Sequence, residues 1–441
     1  MFRKKIIWFF VFALFLRLVL AFLVWHRDVY NHMDWGERFW SYGAAKFYAP
    51  ETNVWGYLWP NQPPGTIYIF AIIYKFYKLV FSFFWWINIS IPIFPSRLIT
   101  FFETNLYPAL LKFPAILADF GIACLIYKVL KLLPLKIGQK ILFFGKEKRN
   151  FEYKEWASSL GALIFLFNPI VWYNSSVWGQ YDSVIFFLAF ISFYFLIQKK
   201  SVLATLFYTL SLYTKLTLIV FAPLFLIFYI KRKYKLGEYF KSVALPIIVV
   251  GFLTYSFSQT EPFSWLFNLY KNKILVEQRQ VVTSNAFNIW AGLTGIHQIS
   301  HNNLFGPISF KTWGLALFFV SYFLPFYLVL RKKDLKTLLW SLAIVSISSF
   351  SLLTNMHERY LFSFFPIVTI LIFLERRLLL FYVLITVLNL LNLYNFWWVP
   401  EISFLKSFLS ANGGYYARIL GYFEFFLYLY FYRFFVRNFR K

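Results

Sequence analysis

The stretch IIWFFVFALFLRLVLAFLVW, from Ile6 to Trp25, decides the class of fold. A helix needs about 20 mostly apolar residues to cross a bilayer, and this run supplies them. Arg3, Lys4 and Lys5 precede the run, and no small-residue cleavage site follows it. We therefore expect a retained signal anchor rather than a signal peptide that is removed.

The composition of the whole chain also indicates a membrane protein. Of its 441 residues, 60% are hydrophobic and 14% are charged, whereas an ordinary soluble domain is about 45–50% apolar and about 25% charged. This excludes a cytosolic globular enzyme, a disordered chain and a disulfide scaffold, and the single Cys124 cannot form an internal disulfide. The formal net charge is +26. In so apolar a chain it favours contact with an anionic membrane surface over nucleic acid.

Further apolar segments extend the pattern to an all-α polytopic membrane protein with about twelve transmembrane helices and both termini in the cytoplasm. The segment from Ser201 to Ile230 has basic residues at both ends, so we expect two short helices that form a hairpin with its tip at Tyr213-Thr214-Lys215. The candidate spans after the first begin near Pro108, Ala157, Asp182, Ser201, Leu216, Phe240, Thr312, Lys336, Leu361, Leu378 and Ala417.

The distribution of Lys and Arg sets the expected orientation, because cytoplasmic loops carry an excess of basic residues. Most of the basic surplus falls in seven segments that we assign to the cytoplasm. The acidic residues fall mostly outside them, where no topology rule places them. The segments are 1–5, 128–156, 198–201, 231–241, 331–336, 375–377 and 433–441.

The apolar stretch from Thr66 to Trp86 is long enough to cross, but a span here would reverse every later loop unless 88–106 also crossed. That second segment contains Pro92, Pro95 and charged residues, which make it a poor helix. We therefore expect 66–86 to lie in the membrane interface. Residues 26–107 then form a large first outer loop and 259–311 a second, within a single integral-membrane domain over 1–441.

Two polar clusters on the outer side are candidates for chemistry, because charge near a membrane is costly unless it is paired or hydrated. The first follows the first span and contains Asp34 and Glu37. An aromatic belt with interfacial charges is the simpler interpretation, although Asp34 between Met and Trp gains nothing from an interface. The second contains Trp178, Gln180 and Asp182, where the alternative is a helix-capping turn.

Two more clusters contain most of the candidate cations. His357, Glu358 and Arg359 form a polar knot between two apolar spans, which suggests an anion site because Arg and protonated His bind phosphate oxygens. Lys215 at the hairpin tip should point into a cavity, since facing lipid would be costly. Arg279 in the second outer loop is either a phosphate-binding residue or an ordinary solvated charge. No nucleotide-binding loop is present in the sequence.

At these clusters the chain resembles the GT-C superfamily of integral-membrane glycosyltransferases, and within it bacterial relatives of the second mannosyltransferase of GPI-anchor assembly. The ordered pair WGQxD and MHERY is the most specific part of the resemblance. The residues that carry it are Asp34-Trp35, Pro63-Pro64, Ala118-Asp119-Phe120-Gly121, Asn168-Pro169, Trp178-Gly179-Gln180-Tyr181-Asp182, Thr214-Lys215, Ala286-Phe287-Asn288-Ile289-Trp290 and Met356-His357-Glu358-Arg359-Tyr360.

The resemblance implies a GT-C-like fold whose first outer loop carries interfacial helices. It also implies a polyprenyl- or dolichyl-phosphate-linked sugar donor, and transfer with inversion on the extracytoplasmic side. It implies that Asp34 is the general base, with Glu37 as its substitute. His357, Arg359 and Lys215 would bind the donor phosphate, while Glu358 would contribute to substrate binding with the WGQxD residues.

Together these features predict a hexosyltransferase of the plasma membrane, with mannose as the first choice of sugar. Its partners would be the lipid-linked donor, a glycan, glycolipid or protein acceptor, and membrane lipid, with no nucleic acid. No cofactor or divalent metal is implied. The alternative is a transporter or flippase for a lipid-linked or anionic substrate, which would also bury charges in a cavity.

Overall fold

The computed structural model describes residues 2–52, 59–135, 148–275 and 280–439. It is 79% helical with almost no sheet, so the expectation of an all-α polytopic protein is confirmed. The described ranges contain seven helices that are long and apolar enough to cross a membrane, or eight if one bent pair, Tyr153–Phe167 and Pro169–Trp178, counts as one span. Five more apolar helices are shorter than this criterion requires.

The helices follow one another along the chain with mostly short connections. The first nine are α1 Phe2–Leu23, α2 Asp28–Lys46, α3 Pro64–Ser90, α4 Arg97–Leu132, α5 Lys148–Phe167, α6 Pro169–Trp172, α7 Asp182–Ile197, α8 Ser201–Thr214 and α9 Ala222–Lys231. The others are α10 Leu236–Ser258, α11 Pro262–Leu269, α12 Ile289–Thr294, α13 Phe310–Arg331, α14 Leu335–Leu352, α15 Phe364–Leu374, α16 Leu378–Tyr394 and α17 Ser403–Phe439.

Short irregular elements connect several of these helices. A π-helix, Tyr173–Trp178, follows α6, and a second, Tyr270–Ile274, follows α11. Two 3₁₀ segments, Pro50–Thr52 and Leu216–Phe221, lie after α2 and α8. The strands β1 Leu304–Phe305 and β2 Ile308–Ser309 form a small antiparallel hairpin before α13.

The distribution of apolar side chains fits a protein that is solvated by lipid. α14 and α15 are buried along most of their length and form the centre of the bundle. At the periphery, large apolar side chains are exposed, among them Trp8 at 71%, Phe323 at 70% and Leu380 at 69%. Exposed apolar patches of this extent mark a membrane or protein contact.

Two local expectations have clear outcomes. The helix break predicted at the tip of the 201–230 hairpin is confirmed, because α8 ends at Thr214 and a new helical segment starts at Leu216. The chain folds back there, with the Tyr208 ring stacked on Phe225 at 4.4 Å. The prediction that 88–106 is a poor helix is wrong after Pro95, since α4 begins at Arg97 instead of near Pro108. Pro92 and Pro95 lie in the connection before α4, where proline can be accommodated.

Both ends of α3 lie on the side of the bundle where α1 ends. At its start, the Thr66 hydroxyl donates to the Thr214 carbonyl at 2.6 Å. At its far half, Phe84 packs on Phe102 of α4 at 4.4 Å, and the adjacent Phe101 stacks on Phe22 at the end of α1 at 6.1 Å. A helix with both ends on one side fits the expected interfacial placement of 66–86 better than a crossing.

This arrangement of α3 predicts a labelling pattern. In a Cys124→Ser background, Ser90→Cys should react with a membrane-impermeant maleimide added to intact cells, because position 90 is exposed at the far end of α3. Lys333→Cys, in the exposed connection between α13 and α14, should react only after permeabilisation. Labelling of position 90 from the inside alone would show that α3 crosses the membrane.

Candidate functional site

The carboxylate of Asp28, the first residue of α2, is the centre of a polar cluster. Its Oδ2 accepts hydrogen bonds from Gln180 Nε2 at 2.7 Å and from Trp178 Nε1 at 3.4 Å. The Asp28 backbone N–H donates to Nδ1 of His26 at 3.0 Å. Asp28 remains partly exposed, with 27% of its side chain accessible. It is therefore held in position without being sealed off.

The turn that presents Trp178 and Gln180 depends on two local features of the sequence. Asn168 caps α6, because its side-chain oxygen accepts from the Ile170 N–H at 2.9 Å. After the π-helix, Gly179 takes φ 78°, a left-handed conformation that favours glycine. A Cβ atom at position 179 would lie 2.9 Å from Cγ2 of Val29, so glycine also allows this turn to approach α2 closely.

A second polar group is centred on the guanidinium of Arg359. Its Nη1 donates to Glu358 Oε1 at 3.0 Å, and its Nε lies 3.9 Å from Asp182 Oδ2. The guanidinium carbon is 5.9 Å from the ring centroid of Trp178, the residue that also contacts Asp28. Arg359 thus links the turn before α7 to the connection between α14 and α15.

Lys215 adds a cation to this group. The helix break places its ammonium group 5.2 Å from the ring of Tyr360, the residue after Arg359. Burial lowers the pKa of Lys215 to about 8; Asp182 opposes the shift and Arg359 adds to it. The lysine is therefore charged at neutral pH and close to its titration range.

The charges in the cluster determine the protonation of its acid and its imidazole. Burial lowers the pKa of His26 to about 4, so the ring is neutral near pH 7. Burial also opposes ionisation of Asp28, but the charge of Arg359 and the hydrogen bond from Trp178 help to hold the pKa of Asp28 below its usual value. Asp28 is consequently an ionised acceptor.

A row of asparagines on α16 holds the segment that carries Arg359. Asn389 Nδ2 donates to the Glu358 carbonyl at 3.2 Å. Asn392 accepts from the Phe287 N–H at 3.0 Å, and Asn395 Nδ2 donates to Asn285 Oδ1 at 2.7 Å. Asn389 and Asn392 are three residues apart on α16 and share one helix face, and Asn395 directly follows the helix. They fix 285–287 and 358 to the same helix.

An apolar cleft begins beside Arg359 and Asp182. It runs between α7, the 3₁₀ segment after Lys215 and the connection between α14 and α15. Arg359 and Asp182 form its polar end, and most of the remaining lining is apolar, as a hydrocarbon chain would require. The apolar side chains that line it include Ile185, Phe186, Leu218, Val220, Leu353 and Phe362.

A buried ion pair between α1 and α4 stabilises the positions of the segments that form the site. Arg17 Nε of α1 lies 3.2 Å from Asp119 Oδ2 of α4, and both side chains are fully buried. Asp119 also accepts from the Ser175 hydroxyl at 2.7 Å and from the Ser183 hydroxyl at 2.6 Å. Ser175 and Ser183 flank the turn that carries Trp178, Gln180 and Asp182, so Asp119 connects that turn to α1.

Lys112, two turns earlier on α4, fixes the end of α1. Its ammonium group donates to the Ala21 carbonyl at 3.1 Å and to the Val24 carbonyl. These are the last carbonyls of α1, which the helix itself leaves without partners. The chain then reaches Asp28 from a fixed starting point.

The structure brings together most of the site residues that the sequence indicated. Trp178, Gln180, Asp182, Lys215, Glu358 and Arg359 all belong to the cluster described above. His357 lies next to it, with its ring 5.1 Å from Tyr360 and its backbone bridged to Ser284 and Asn285. Arg279 lies outside the described residues.

Asp34 and Glu37 face elsewhere. Asp34 Oδ2 accepts from Arg38 Nη2 at 2.6 Å, and Glu37 accepts from the Tyr74 hydroxyl at 3.2 Å. Burial raises the pKa of Asp34 and Arg38 opposes the shift. Six residues along a helix correspond to a rotation of about 240°, so Asp34 cannot share the direction of Asp28.

Sequence reasoning missed Asp28, His26 and the asparagine row. Asp28 does carry a signal: it is the first acid after the first span, and His32 follows it by four residues on the same helix face. His32 is buried against Phe70, with ring centroids 4.5 Å apart. The spacing of Asn389, Asn392 and Asn395 is the corresponding signal on α16.

No protein-family model matches the chain, and no curated protein matches it. The geometry of the site and the sequence motifs are therefore the observations that bear on its function. Among the described residues, no group of three or more His, Cys, Asp and Glu side chains could hold a metal ion.

The Arg17–Asp119 pair predicts a specific pattern of stability. Asp119→Asn or Arg17→Met alone should lower the free energy of unfolding by about 3–5 kcal/mol, because each leaves a buried charge without its partner. The double variant Arg17→Met/Asp119→Asn should recover most of this loss, since the amide oxygen still accepts from one serine and the amide NH2 can donate to the hydroxyl oxygen of the other. Unfolding in detergent micelles measures the effect.

The exposed Lys406–Glu401 pair provides the control. Lys406→Met should change stability by about 1 kcal/mol or less, the usual range for surface pairs. A double variant no more stable than the two single variants would contradict the role given to the buried pair.

Proposed function

We propose that this protein is an inverting hexosyltransferase of the GT-C type. It would transfer a hexose, with mannose as the first candidate, from a polyprenyl-phosphate donor to a glycan, lipid or protein acceptor on the extracytoplasmic face. The observation that carries the proposal is the polar cluster itself. An ionised, partly exposed Asp28 is close enough to two cations, Arg359 and Lys215, to interact with them electrostatically, and Arg359 lines one end of an apolar cleft.

The cleft and its cations suit the two parts of a lipid-linked donor. A polyprenyl chain would occupy the apolar cleft, and its phosphate would lie against Arg359 and Lys215. The guanidinium group of arginine can donate two parallel hydrogen bonds to phosphate oxygens, whereas the ammonium group of lysine acts as a point charge. His357 lies beside this position.

Asp28 then acts as the general base. It takes the proton from an acceptor hydroxyl as that oxygen forms a bond to the anomeric carbon of the sugar. The bond from the anomeric carbon to the phosphate oxygen breaks in the same step, and polyprenyl phosphate leaves with the electron pair. Arg359 and Lys215 stabilise the charge that develops on the leaving phosphate. One displacement inverts the anomeric configuration.

The membrane arrangement that we propose has twelve spans with both termini in the cytoplasm. α3 lies on the surface, and the other long helices, the bent pair and the five shorter apolar helices supply the spans. Basic groups at the end of the bundle opposite Asp28 support the orientation. There, Lys231 donates to the Val329 carbonyl at 2.7 Å, and Lys332 lies 5.0 Å from the Phe439 ring.

The assignment of the base predicts that Asp28→Asn lowers kcat by about 10²–10⁴-fold, because the amide cannot accept the proton. Binding of the donor should change little. Purified protein incubated with labelled polyprenyl-phosphate mannose or glucose, and with membrane acceptors, measures both. Asp34→Asn is the comparison, and its kcat should stay within a few-fold of wild type.

The opposite ranking of these two variants would restore Asp34 as the base. If the wild-type protein transfers neither sugar but moves the labelled lipid between the leaflets of a proteoliposome, the transferase proposal is wrong and the flippase alternative is supported.

The pKa of Lys215 predicts a pH dependence of donor binding. A polyprenyl-phosphate hexose is a phosphodiester with no titration near pH 8, so any change there reports on the protein. Lys215 is charged below pH 8 and neutral above it, and donor affinity should fall as the pH rises through about 8. In Lys215→Arg the decline should move to higher pH, because arginine keeps its charge. An unchanged profile in that variant would contradict the phosphate role of Lys215.

A further inference from the structure

Three rings pack together beside Asp28. The centroid of His26 lies 4.7 Å from that of Trp178 and 4.4 Å from that of Trp397, and the two tryptophans are 6.0 Å apart. His26 and Trp178 are almost completely buried, whereas Trp397 is half-buried. Trp397 comes from the connection after α16, far from the other two along the chain. We call these three residues the ring cluster.

The ring cluster contains polar atoms without partners. His26 accepts a hydrogen bond at Nδ1, so the proton of its neutral ring is on Nε2. That Nε2 and the Nε1 of Trp397 are buried donors with no acceptor in the described part of the chain. Acceptors in the same site lack donors too: Oδ1 of Asn174 and Oε2 of Glu358. Several such atoms lie close to Asp28, and a ligand that pairs with them is one way to satisfy them.

The mixture of unpaired donors and acceptors narrows the class of ligand. Phosphate oxygens and carboxylates only accept, and ammonium groups only donate. A hydroxyl group both donates and accepts. A molecule with several hydroxyls can therefore satisfy all four atoms, and its C–H faces can pack on the indole rings.

The backbone around Trp397 stores strain. Phe396 has φ 71° and Trp398 has φ 49°, in the left-handed region that bulky side chains rarely adopt. Strain of this type costs about 1–3 kcal/mol per residue and is concentrated at ligand clamps and switch regions. Two strained residues flank the one ring of the cluster that is not fully buried.

We propose that the ring cluster is a hexopyranose subsite, in which the sugar packs on Trp178 and Trp397 and its hydroxyls bind His26 Nε2 and Trp397 Nε1. This rests on the proposed function, because it places the sugar next to Asp28. The three rings pack directly against one another, so the sugar enters by displacing the half-buried Trp397. The sugar is either the transferred hexose or a sugar of the acceptor.

The test compares Trp397→Ala and Trp397→Phe with the wild type in nanodiscs. Trp398→Ala is the matched control, since Trp398 lies in the same connection but packs on Tyr394, with centroids 5.4 Å apart. Affinities are measured for polyprenyl phosphate and for polyprenyl-phosphate mannose, together with the KM for the acceptor. The change in the ratio of the two affinities from wild type to variant isolates the contribution of the donor sugar, because the difference in phosphate charge between the two lipids is the same for every variant.

If the subsite takes the donor sugar, Trp397→Ala abolishes the preference for the mannosylated lipid and leaves the affinity for polyprenyl phosphate unchanged. Trp397→Phe, which keeps a ring but loses the N–H, weakens that preference about 2–10-fold. If the subsite takes the acceptor, the preference is kept and the acceptor KM rises by a similar factor. In both cases Trp398→Ala behaves as wild type.

Either of two results overturns the subsite: Trp397→Ala with both the preference and the acceptor KM of wild type, or equal losses in Trp398→Ala. A wild type that prefers the mannosylated lipid but never transfers mannose contradicts the transferase alone. If the wild type binds both lipids equally and substitutions at position 397 leave the acceptor KM unchanged, the subsite proposal is wrong. The transferase proposal is then tested separately by Asp28→Asn.

Discussion

The fully buried ion pair between Arg17 and Asp119 is the constraint on which the site depends. Two charges inside an apolar bundle are costly unless they meet each other and satisfy their remaining hydrogen bonds. In this bundle Arg17 also donates to the Leu166 carbonyl at 2.7 Å, and Asp119 accepts from two serines. The pair and these partners lie on five separate elements, α1, α4, α5, the first π-helix and α7, so satisfying the pair fixes how those elements are arranged. That arrangement also brings the Trp178–Asp182 turn up to Asp28.

The site divides into parts with different physical requirements. Asp28 needs to remain ionised and reachable, which the donors Gln180 and Trp178 and the partial exposure provide. Arg359 needs neighbours that hold its position but leave part of its charge available to a ligand. Glu358 and Asp182 do this, the first at 3.0 Å and the second at 3.9 Å. The asparagine row holds the backbone at 285–287 and 358, so the charged side chains are not needed to fix those segments.

The sequence predicted the helical class, the break at Lys215 and most of the cationic group, because long apolar runs and isolated charges are local signals. It did not predict which acid of the first outer segment faces the cations. Asp34 and Asp28 are both acids in an aromatic setting, and only the rotation of α2 against α3 and α4 separates them. The start of α4 was also missed, since prolines before a helix and prolines within it look alike in a sequence. The partnership of Trp397 with His26 joins distant segments and carries no local signal.

The wide spacing of the site residues along the chain has a consequence for biosynthesis. Asp28 precedes Arg359 and the asparagine row by more than 300 residues, so it is translated well before them. Segments inserted early can form the Arg17–Asp119 pair while later ones are still being translated, since domains assemble from the N-terminus onwards. Lys215 follows midway along the chain, and Arg359 only in the last third. The nascent protein can therefore form the Arg17–Asp119 contact well before the site is complete, and a chain that stops before Arg359 has the ion pair without the guanidinium of the site.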